Sequence, residues 1–388
     1  MIPRGQRRMD RTVSTRRDIF RTGLALGVGA GLPRSAAADE PPGLILRNRR
    51  PLDAETPTSA FDRFLTPNDL FFVRSHFGPP DVTLRPWRLE VEGEVGRPLS
   101  LGLDDLKGLE VVTRPALVQC SGNGRSFHAP IIPGVGWGRG AVGNAEWSGV
   151  RLRDLLGRAG LKSSAKHIHM HGADRPPNPK TPAFLRSIPV GRALDPETLV
   201  AWSMNGEPIP AMHGGPLRLI IPGWMAQNWT KWLRRITAST TEAPGFYMRT
   251  AYRMPKIPAP PEVVLKPEDL VPVTAMNVKS LFARPAAGER LSTGLNVAKG
   301  VAWTGDGVVS TVEISADHGP WRPATFDSPA VAGTWRTWHC QWRAERPGRA
   351  SLAVRATDSA GQTQPERTPW NKSGYMWNGI DRVDVEVS

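Results

Sequence analysis

The segment that does most to identify the fold of this chain is Val118-Gln119-Cys120-Ser121-Gly122-Asn123-Gly124-Arg125. A run typical of a strand ends in Cys120, and the Ser, Gly, Asn and Gly that follow predict a tight turn with exposed backbone N–H groups. Because these amides and Arg125 favour the anion, we expect a lowered pKa for the Cys120 thiol and a thiolate able to attack or to bind a soft metal. Taken alone, the segment equally allows a buried, inert cysteine.

The chain has two cysteines, Cys120 and Cys340. Cys340 lies in the alternating run 338–342, which is the pattern of a half-buried strand, and we expect it to be inert. A disulfide between the two cysteines remains open at this stage. Two cysteines in a chain of this length do not make a disulfide framework.

Length and composition predict two domains rich in short strands and turns. Of the 388 residues, 38 are Pro and 39 are Gly, while 39% are hydrophobic, which is enough for globular cores. Five prolines between residues 251 and 271 predict an extended linker. We therefore expect a first domain at 39–262 and a second at 263–388.

The two predicted domains differ in their hydrophobic patterns. In the first, strand-like and short helical runs are interspersed, which predicts a mixed α+β domain. Its runs are 87–93, 167–171, 218–223 and 229–237 for strands, and 103–109 and 150–156 for helices. In the second, short alternating runs predict an Ig-like β-sandwich. These runs are 295–304, 310–315, 335–343, 350–357 and 382–387.

Residues 1–38 have the features of a signal peptide. Paired arginines at 16–17 precede a Gly/Ala-rich apolar run at 22–32, and three alanines at 36–38 form a small-residue cleavage site. This pattern resembles a twin-arginine signal, which exports folded proteins, so we expect a periplasmic protein that receives a cofactor before export. A basic amphipathic helix is the alternative, which the glycines of the run disfavour. No apolar run of about 18 residues occurs, so we expect no membrane span in the mature protein.

The net charge of +14 does not have the distribution of a nucleic-acid footprint. Residues 1–38 carry eight Lys or Arg against two Asp, a net of +6, and the remaining +8 is spread along the chain without clustered basic runs. We therefore expect no nucleic-acid binding. A basic surface suits small anions or an acidic protein partner.

The turn at Cys120 resembles the Cys-[Ala/Ser]-Gly-Asn motif of the sulfite oxidase family, in which the cysteine is a ligand of molybdenum in a molybdopterin cofactor. Other segments resemble motifs of that family in the same order, over essentially the whole chain after residue 38. They are 71–76, Trp137, 143–147, 172–174, 204–206, 213–218, 222–223, 231–233, 370–371 and Gly374. Each motif alone is weak, but the ordered series identifies the chain as a member of the family.

The resemblance implies a role for each matching residue. Cys120 would be the protein ligand of the metal. The catalytic residues lining the pocket would be Arg74, Cys120, Arg125, Trp137 and Tyr252. The cofactor-binding residues would be Arg74, Ser75, His76, Cys120, Asp174, His213, Arg218, Trp229, Thr230 and Lys231. Arginine forks suit a sulfur oxyanion, and Arg, Lys and backbone amides suit the cofactor's phosphate.

Each of these residues also has an ordinary interpretation. A single arginine is more often a surface charge, a lone tryptophan is more often core, and Tyr252 in a Pro-rich segment could simply pack against the domain. The run 167–171 places three imidazoles on one face of a predicted strand, which raises a zinc site. Without a further ligand cluster, a partly buried strand beside the cofactor is the favoured interpretation.

Two positions depart from the family pattern. Asn228 stands where many members have an arginine shortly before the Lys-Trp-Leu motif. Lys372 and Ser373 stand where animal-type members have an arginine that reaches the substrate. A third cation in the pocket is therefore an open question.

The resemblance implies oxidation of sulfite and water to sulfate, with release of two electrons and two protons, in a periplasmic sulfite dehydrogenase subunit. No Cys-x-x-Cys-His motif occurs, so we expect no haem in this chain and a separate c-type cytochrome, with an acidic face, as acceptor. The second domain could support a homodimer. Three alternatives remain: a sulfane-sulfur dehydrogenase subunit whose substrate rides on a carrier protein, a related methionine-sulfoxide reductase, which would lack the sandwich, and a cofactor-free periplasmic binding module.

Overall fold

The computed structural model describes residues 42–83 and 86–388. All described residues belong to one compact unit. The predicted signal peptide at residues 1–38 lies outside the described residues. Within the described ranges, no helix is both long enough and apolar enough to cross a membrane.

The region before residue 262 consists of short strands joined by short helices. Its strands are β1 Ile45–Arg49, β2 Leu52–Glu55, β3 Arg88–Gly93, β4 Leu99–Gly102, β5 Val112–Gln119, β6 Val142–Arg151, β7 His167–Gly172, β8 Leu185–Pro189, β9 Leu199–Met204, β10 Glu207–Pro208, β11 Arg218–Ile220, β12 Leu233–Ser239 and β13 Arg253–Pro255. Its helices are α1 Leu103–Lys107, α2 Leu152–Arg158, α3 Val190–Ala193 and α4 Phe246–Arg249, with 3₁₀ helices at Thr58–Asp62, Asn68–Leu70, Arg125–Phe127, Ala211–His213 and Ala226–Asn228.

The expectation of a mixed α+β domain is met only loosely, because strands dominate this region. The longest of its α-helices, α2, has 7 residues. Frequent proline and glycine explain the short helices, since both residues cost free energy inside a helix. The helical residues that remain are amphipathic, and α2 buries Leu152, Leu155 and Leu156. Each such burial contributes about 1.5–3 kcal/mol to folding.

Two five-stranded sheets form the framework of this region. The first has the order β10-β9-β6-β5, with β11 also paired to β9, and the second has the order β4-β3-β12-β7-β8. In the second sheet β12 runs parallel to β3 and antiparallel to β7. Strand β5 is the end strand of the first sheet and finishes at Gln119, so Cys120 emerges directly from the edge of that sheet.

The region after residue 262 is a sandwich of two sheets, as the alternating runs predict. Its strands are β14 Leu270–Pro272, β15 Lys279–Arg284, β16 Arg290–Leu291, β17 Gly294–Trp303, β18 Val309–Ala316, β19 Arg322–Pro323, β20 Thr325–Phe326, β21 Arg336–Ala344, β22 Gly348–Asp358 and β23 Asp381–Val387, with a 3₁₀ helix at Pro267–Asp269. The sheets have the orders β15-β17-β21-β20 and β16-β23-β22-β18-β19. Apolar residues from both sheets form one buried cluster.

The predicted linker at 251–271 is mostly extended, and its two ends pair with each other as the short strands β13 and β14. The regions on either side of it also share a buried cluster that joins Leu117 and Val142 to Trp303 and Trp335. The indole N–H of Trp303 donates to Gln119 Oε1 at 2.8 Å. The sandwich therefore packs directly behind the strand that leads to Cys120, while the domain boundary at 262/263 stays a prediction.

Candidate active site

Cys120 begins the tight turn that the sequence predicts. Its backbone N–H donates to Ala141 O at 2.9 Å, and its carbonyl accepts from Asn123 N at 2.9 Å. Gly124 has a φ of 92°, a left-handed conformation that glycine adopts without steric cost. These contacts hold the turn against β6, and the Cys120 side chain lines a cavity.

The cavity collects residues that are scattered along the sequence. All residues predicted for the site line it except Arg125 and Trp137: they are Arg74, Ser75, His76, Cys120, Asp174, His213, Arg218, Trp229, Thr230, Lys231 and Tyr252. The rest of its wall consists of Phe71, Phe72, Val118, Ser121, Phe184, Met212, Ala226, Gln227 and Trp232.

A chain of hydrogen bonds runs along one wall of the cavity from Asp53 to Tyr252. Asp53, with no exposed surface, accepts from Arg74 Nη1 at 3.1 Å. Arg74 Nη2 lies 3.2 Å from His76 Nδ1, and His76 Nε2 lies 2.7 Å from the Tyr252 hydroxyl oxygen. These four side chains thus form a continuous polar network inside an apolar surrounding.

The network determines which ring nitrogen of His76 carries the proton. Arginine can only donate, so His76 Nδ1 accepts. Burial, with help from the charges of Arg74 and Lys231, lowers the pKa of His76 to about 3, so the ring is neutral and its proton is on Nε2. His76 therefore donates to Tyr252, and the tyrosine's own proton can be donated to an acceptor in the cavity.

The sequence-based expectation of a lowered thiol pKa at Cys120 is wrong. Burial raises the pKa, and the charges of Arg74 and Arg125 and the Gly122 amide oppose this without overcoming it. Desolvation disfavours the thiolate more than these groups stabilise it. The thiol needs a stronger positive charge beside it, such as a metal ion, to ionise at neutral pH.

The cavity is also lined by two buried cations, Arg218 and Lys231. Arg218 is 4% exposed and donates from Nη1 to His213 O at 2.7 Å, and its guanidinium lies over the Trp147 ring at 4.8 Å. Lys231 donates to Met212 O at 2.9 Å. Burial lowers the pKa of Arg218 to about 9 and that of Lys231 to about 7. In the described part of the chain, no anionic group offsets the burial of Arg218, and the nearby charges of Asp174 and Asp53 do not outweigh the burial of Lys231.

Several buried polar atoms of the cavity wall have no hydrogen-bond partner among the described residues. They are Ser121 Oγ, Arg218 Nε, Gln227 Oε1 and Thr230 Oγ1. Leaving a buried polar atom unpaired costs about 1–3 kcal/mol. Their position on the cavity wall, together with the buried cations Arg218 and Lys231, fits a bound group that is polar and anionic.

Arg125 and Trp137 lie behind the Cys120 turn and not on the cavity wall. Arg125 donates from Nε to Ser373 O at 3.0 Å and from Nη1 to Val135 O at 2.9 Å. A Cβ on Gly122 would come within 2.7 Å of its guanidinium, so any larger residue there would force the Arg125 side chain to move. Trp137 is 1% exposed and belongs to the hydrophobic core.

Sequence reasoning missed three side chains around Tyr252. Asp53 anchors Arg74, and Tyr375 stacks on Tyr252 with ring centroids 5.5 Å apart. Arg186 is 1% exposed, lies 5.6 Å from the centre of the Tyr252 ring, and donates to Asn228 Oδ1 at 2.8 Å. The only signal for Arg186 was indirect, because Asn228 departs from the family pattern.

The imidazoles of β7 have partners other than a metal. His169 Nε2 lies 2.8 Å from Thr241 O, and His171 Nε2 lies 3.3 Å from Thr237 Oγ1. Among the described residues, no group of three or more His, Cys, Asp or Glu side chains is arranged to hold a metal ion. Cys120 and Cys340 are both free thiols, so they do not form the disulfide that the sequence left open.

Comparison with protein families accounts for both regions of the chain. Residues 76–247 match the oxidoreductase molybdopterin binding domain. Residues 271–388 match the Mo-co oxidoreductase dimerisation domain. The cavity residues from His76 to Lys231 thus fall inside the molybdopterin binding match, and the sandwich falls inside the second match.

Relatives that match most of this chain include sulfite oxidases and nitrate reductases. Mitochondrial sulfite oxidase of Homo sapiens is 34% identical over 374 residues, covering 90% of this chain and 68% of that protein. Sulfite oxidase of Gallus gallus is 34% identical over 361 residues, covering 88% of this chain and 78% of that protein. Nitrate reductase [NADH] 1 of Oryza sativa subsp. japonica is 33% identical over 381 residues, covering 89% of this chain but 41% of that protein.

A solved structure shares the architecture of both regions. The crystal structure of the sulfane dehydrogenase SoxCD from Paracoccus pantotrophus matches with a TM-score of 0.74 and 27% identity, over 85% of this chain and 83% of that chain. Domain matches, identity and architecture agree, and the chain therefore belongs to the sulfite oxidase family of molybdopterin-binding oxidoreductases.

Proposed function

We propose that this chain oxidises sulfite to sulfate at a molybdenum–molybdopterin centre and passes the electrons to a separate c-type cytochrome. One observation carries the proposal: the Cys120 side chain and the Arg74–His76–Tyr252 hydrogen-bond chain line the same cavity. A thiol that needs a metal to ionise therefore faces a cation and a hydroxyl donor suited to an oxyanion. The sulfite oxidase relatives support sulfur-compound oxidation.

The residues present fit this cofactor. Cys120 would be the protein ligand of the metal, and Arg218 and Lys231 with Thr230 would hold the phosphate, which would satisfy the unpaired Arg218 Nε and Thr230 Oγ1. Asp174 lies close enough to Lys231 for the two charges to interact, and burial raises the Asp174 pKa to about 6. When bound, the molybdenum centre supplies the two-electron redox chemistry.

The protein's own contribution to the reaction is orientation and charge. Arg74, held by Asp53, would attract the sulfite anion and keep it beside Cys120. Tyr252, whose oxygen accepts from His76, would donate its proton to an oxygen of the substrate. The surrounding apolar wall, including Phe71 and Phe184, would exclude water and so strengthen both interactions.

The experiment is a sulfite assay with cytochrome c, combined with molybdenum quantitation, on protein matured with the cofactor. We expect stoichiometric molybdenum and sulfite-dependent reduction of the cytochrome. Cys120→Ala should abolish both activity and normal metal coordination, whereas Cys340→Ala, a free thiol in the sandwich, should leave them unchanged. A Cys120→Ala protein that still oxidised sulfite would overturn the ligand assignment. Protein that takes up no molybdenum would favour a cofactor-free binding module.

A sulfane-sulfur dehydrogenase subunit is the second candidate, because the SoxCD sulfane dehydrogenase shares this architecture. The substrate of such a subunit rides on a carrier protein. Robust turnover of free sulfite therefore supports the first proposal. Molybdenum-loaded protein that ignores free sulfite but oxidises a carrier-bound sulfane sulfur supports the second.

We also propose that the chain is exported folded to the periplasm and forms a homodimer through its C-terminal region. The arginine pair at 16–17 supports the first part. The match of residues 271–388 to a dimerisation domain supports the second. Cell fractionation and the mass of the purified protein in solution test them separately.

A further inference from the structure

The three tyrosines of this chain form one cluster around Tyr252, which lines the cavity, although Tyr375 is far from the other two in sequence. Tyr252 lies between the other two, with ring centroids 6.4 Å from Tyr247 and 5.5 Å from Tyr375. The planes of Tyr252 and Tyr375 are only 12° apart, which is the geometry of an offset stack. Tyr375 comes from the C-terminal region. It closely follows Lys372 and Ser373, which stand where animal-type members of the family have an arginine.

The segment that presents Tyr375 is tied to the Cys120 turn. Met376 N donates to Ser121 O at 2.9 Å, and Arg125 Nε donates to Ser373 O at 3.0 Å. Within the segment, Asn371 Oδ1 accepts from Tyr375 N at 3.0 Å, and Asn371 Nδ2 donates to Tyr375 O at 2.8 Å. The backbone at Tyr375 and on both sides of it is thus held by hydrogen bonds.

Tyr252 needs such support, because its backbone is unusual. Its φ of 56° is in the left-handed region that non-glycine residues rarely adopt. The hydroxyl is held by His76 at 2.7 Å, and the carbonyl accepts from Val273 N at 2.9 Å. Neither of these two hydrogen bonds fixes the orientation of the ring plane. The stacked ring of Tyr375 does, because it covers one face of the Tyr252 ring.

We propose that Tyr375 is a positioning residue whose ring fixes the ring of Tyr252, and with it the direction of the hydroxyl that faces the cavity. The C-terminal sandwich region thereby completes the site. The effect on catalysis rests on the proposed function. The effect on the Tyr252 ring itself does not, and it can be measured without substrate.

The substrate-free test follows the exposure of a single phenol. The paired variants are Tyr247→Phe/Tyr375→Phe and Tyr247→Phe/Tyr375→Leu, which both leave Tyr252 as the one tyrosine in the chain. With Phe at 375 the cover over the Tyr252 ring is retained, and with Leu it is lost. Nitration of the phenol by tetranitromethane at pH 8 should therefore be several-fold faster in the Leu chain. Identical nitration rates would overturn the proposal.

The catalytic test compares Tyr375→Phe and Tyr375→Leu in the molybdenum-loaded chain. We expect Tyr375→Leu to lower kcat for sulfite about tenfold with little change in KM, since a misplaced group costs transition-state stabilisation. Tyr375→Phe should retain most of the activity. A matched control is Phe326→Leu, because both rings lie beneath an arginine. Arg125 Cζ is 5.6 Å from the centre of the Tyr375 ring, and Arg336 Cζ is 3.4 Å from the centre of the Phe326 ring.

The outcomes separate this inference from the function on which it rests. Wild-type kcat in Tyr375→Leu, or an equal loss in Tyr375→Phe, would overturn the positioning role. A similar loss in Phe326→Leu would mean that the effect is one of general stability and would overturn it too. Loaded wild-type protein that does not oxidise sulfite would refute the proposed function, and the nitration rates would still test whether Tyr375 covers the ring of Tyr252.

Discussion

Lys231 should make the stability of the cofactor-free protein depend on pH in a way that the loaded protein does not. The ammonium group is buried in the cavity wall near Arg218, and burial lowers its pKa from 10.5 to about 7. A phosphate beside Lys231 would return the pKa towards its ordinary value, because an opposite charge favours the charged form. The two perturbations that test this are removal of the cofactor and Lys231→Met.

The sign and size follow from the two pKa values. Between about pH 7 and 10.5 the folded, cofactor-free chain holds Lys231 neutral while the unfolded chain holds it charged. The unfolded state then binds more protons, so stability rises with pH across this window, by at most about 2.7 kcal/mol between pH 7 and 9. Arg218, with a folded pKa of about 9, contributes little below that pH. In the loaded protein Lys231 stays charged, so its contribution to the stability gap between loaded and cofactor-free protein should shrink as pH rises. Cys120 contributes with the opposite sign, because its thiol loses a proton when it binds the metal, so the Lys231 contribution is read by comparing the parent protein with Lys231→Met.

The measurement is chemical unfolding of both forms at pH 7, 8 and 9. Lys279 provides the control, since burial also lowers its pKa to about 7, but it lies in the sandwich region and contributes equally to both forms. Lys279→Met should therefore leave the pH dependence of the gap as it is in the parent protein, and Lys231→Met should change it by up to about 2.7 kcal/mol between pH 7 and 9. The same pH dependence of the gap in the parent protein and in Lys231→Met would refute this reasoning about Lys231.

Three further perturbations have defined outcomes. Tyr252→Phe should lower kcat/KM for sulfite about tenfold to a hundredfold, since a hydrogen bond to a charged group is worth about 1.5–3 kcal/mol; unchanged steady-state kinetics would contradict its role as donor. Asp53→Asn should lower the free energy of unfolding by about 1–3 kcal/mol, because Arg74 loses its buried carboxylate; an unchanged denaturation midpoint argues against that pairing. Arg16→Lys/Arg17→Lys should leave the precursor in the cytoplasm on fractionation, whereas normal export excludes a twin-arginine signal.

The sandwich could be predicted from sequence because its signal is local. In β22, buried and partly exposed residues alternate along almost the whole strand, and the sequence alternates with the same period of two. The first region was harder, as the predicted helix at 150–156 shows. There Val150 and Arg151 finish β6 by pairing with Val200 and Leu199, and the helix begins only at Leu152. A partner strand about 50 residues away decides that boundary, and no local pattern contains it.

The site also has a part that sequence motifs predict and a part that depends on packing. The motifs predict which residues line the cavity, and packing determines their partners. Most of the cavity wall matched ordered family motifs, which made its residues predictable one by one. The partners of those residues were not: Asp53 bonds to Arg74, 21 positions away. The pKa of Cys120 was predicted in the wrong direction because the sequence shows the charge of Arg125 but not the loss of water around the thiol.

Arg125, which does not line the cavity, helps to hold the Cys120 turn, which does. Arg125 fills the space behind the Cys120 turn, and glycines at 122 and 374 leave room for its guanidinium: a Cβ at either would come within 2.7 or 2.8 Å of that side chain. Its Nε donates to Ser373 O, so the turn is braced from the C-terminal region. The bond from Arg125 to the Ser373 carbonyl joins the Cys120 turn to the segment that presents Tyr375.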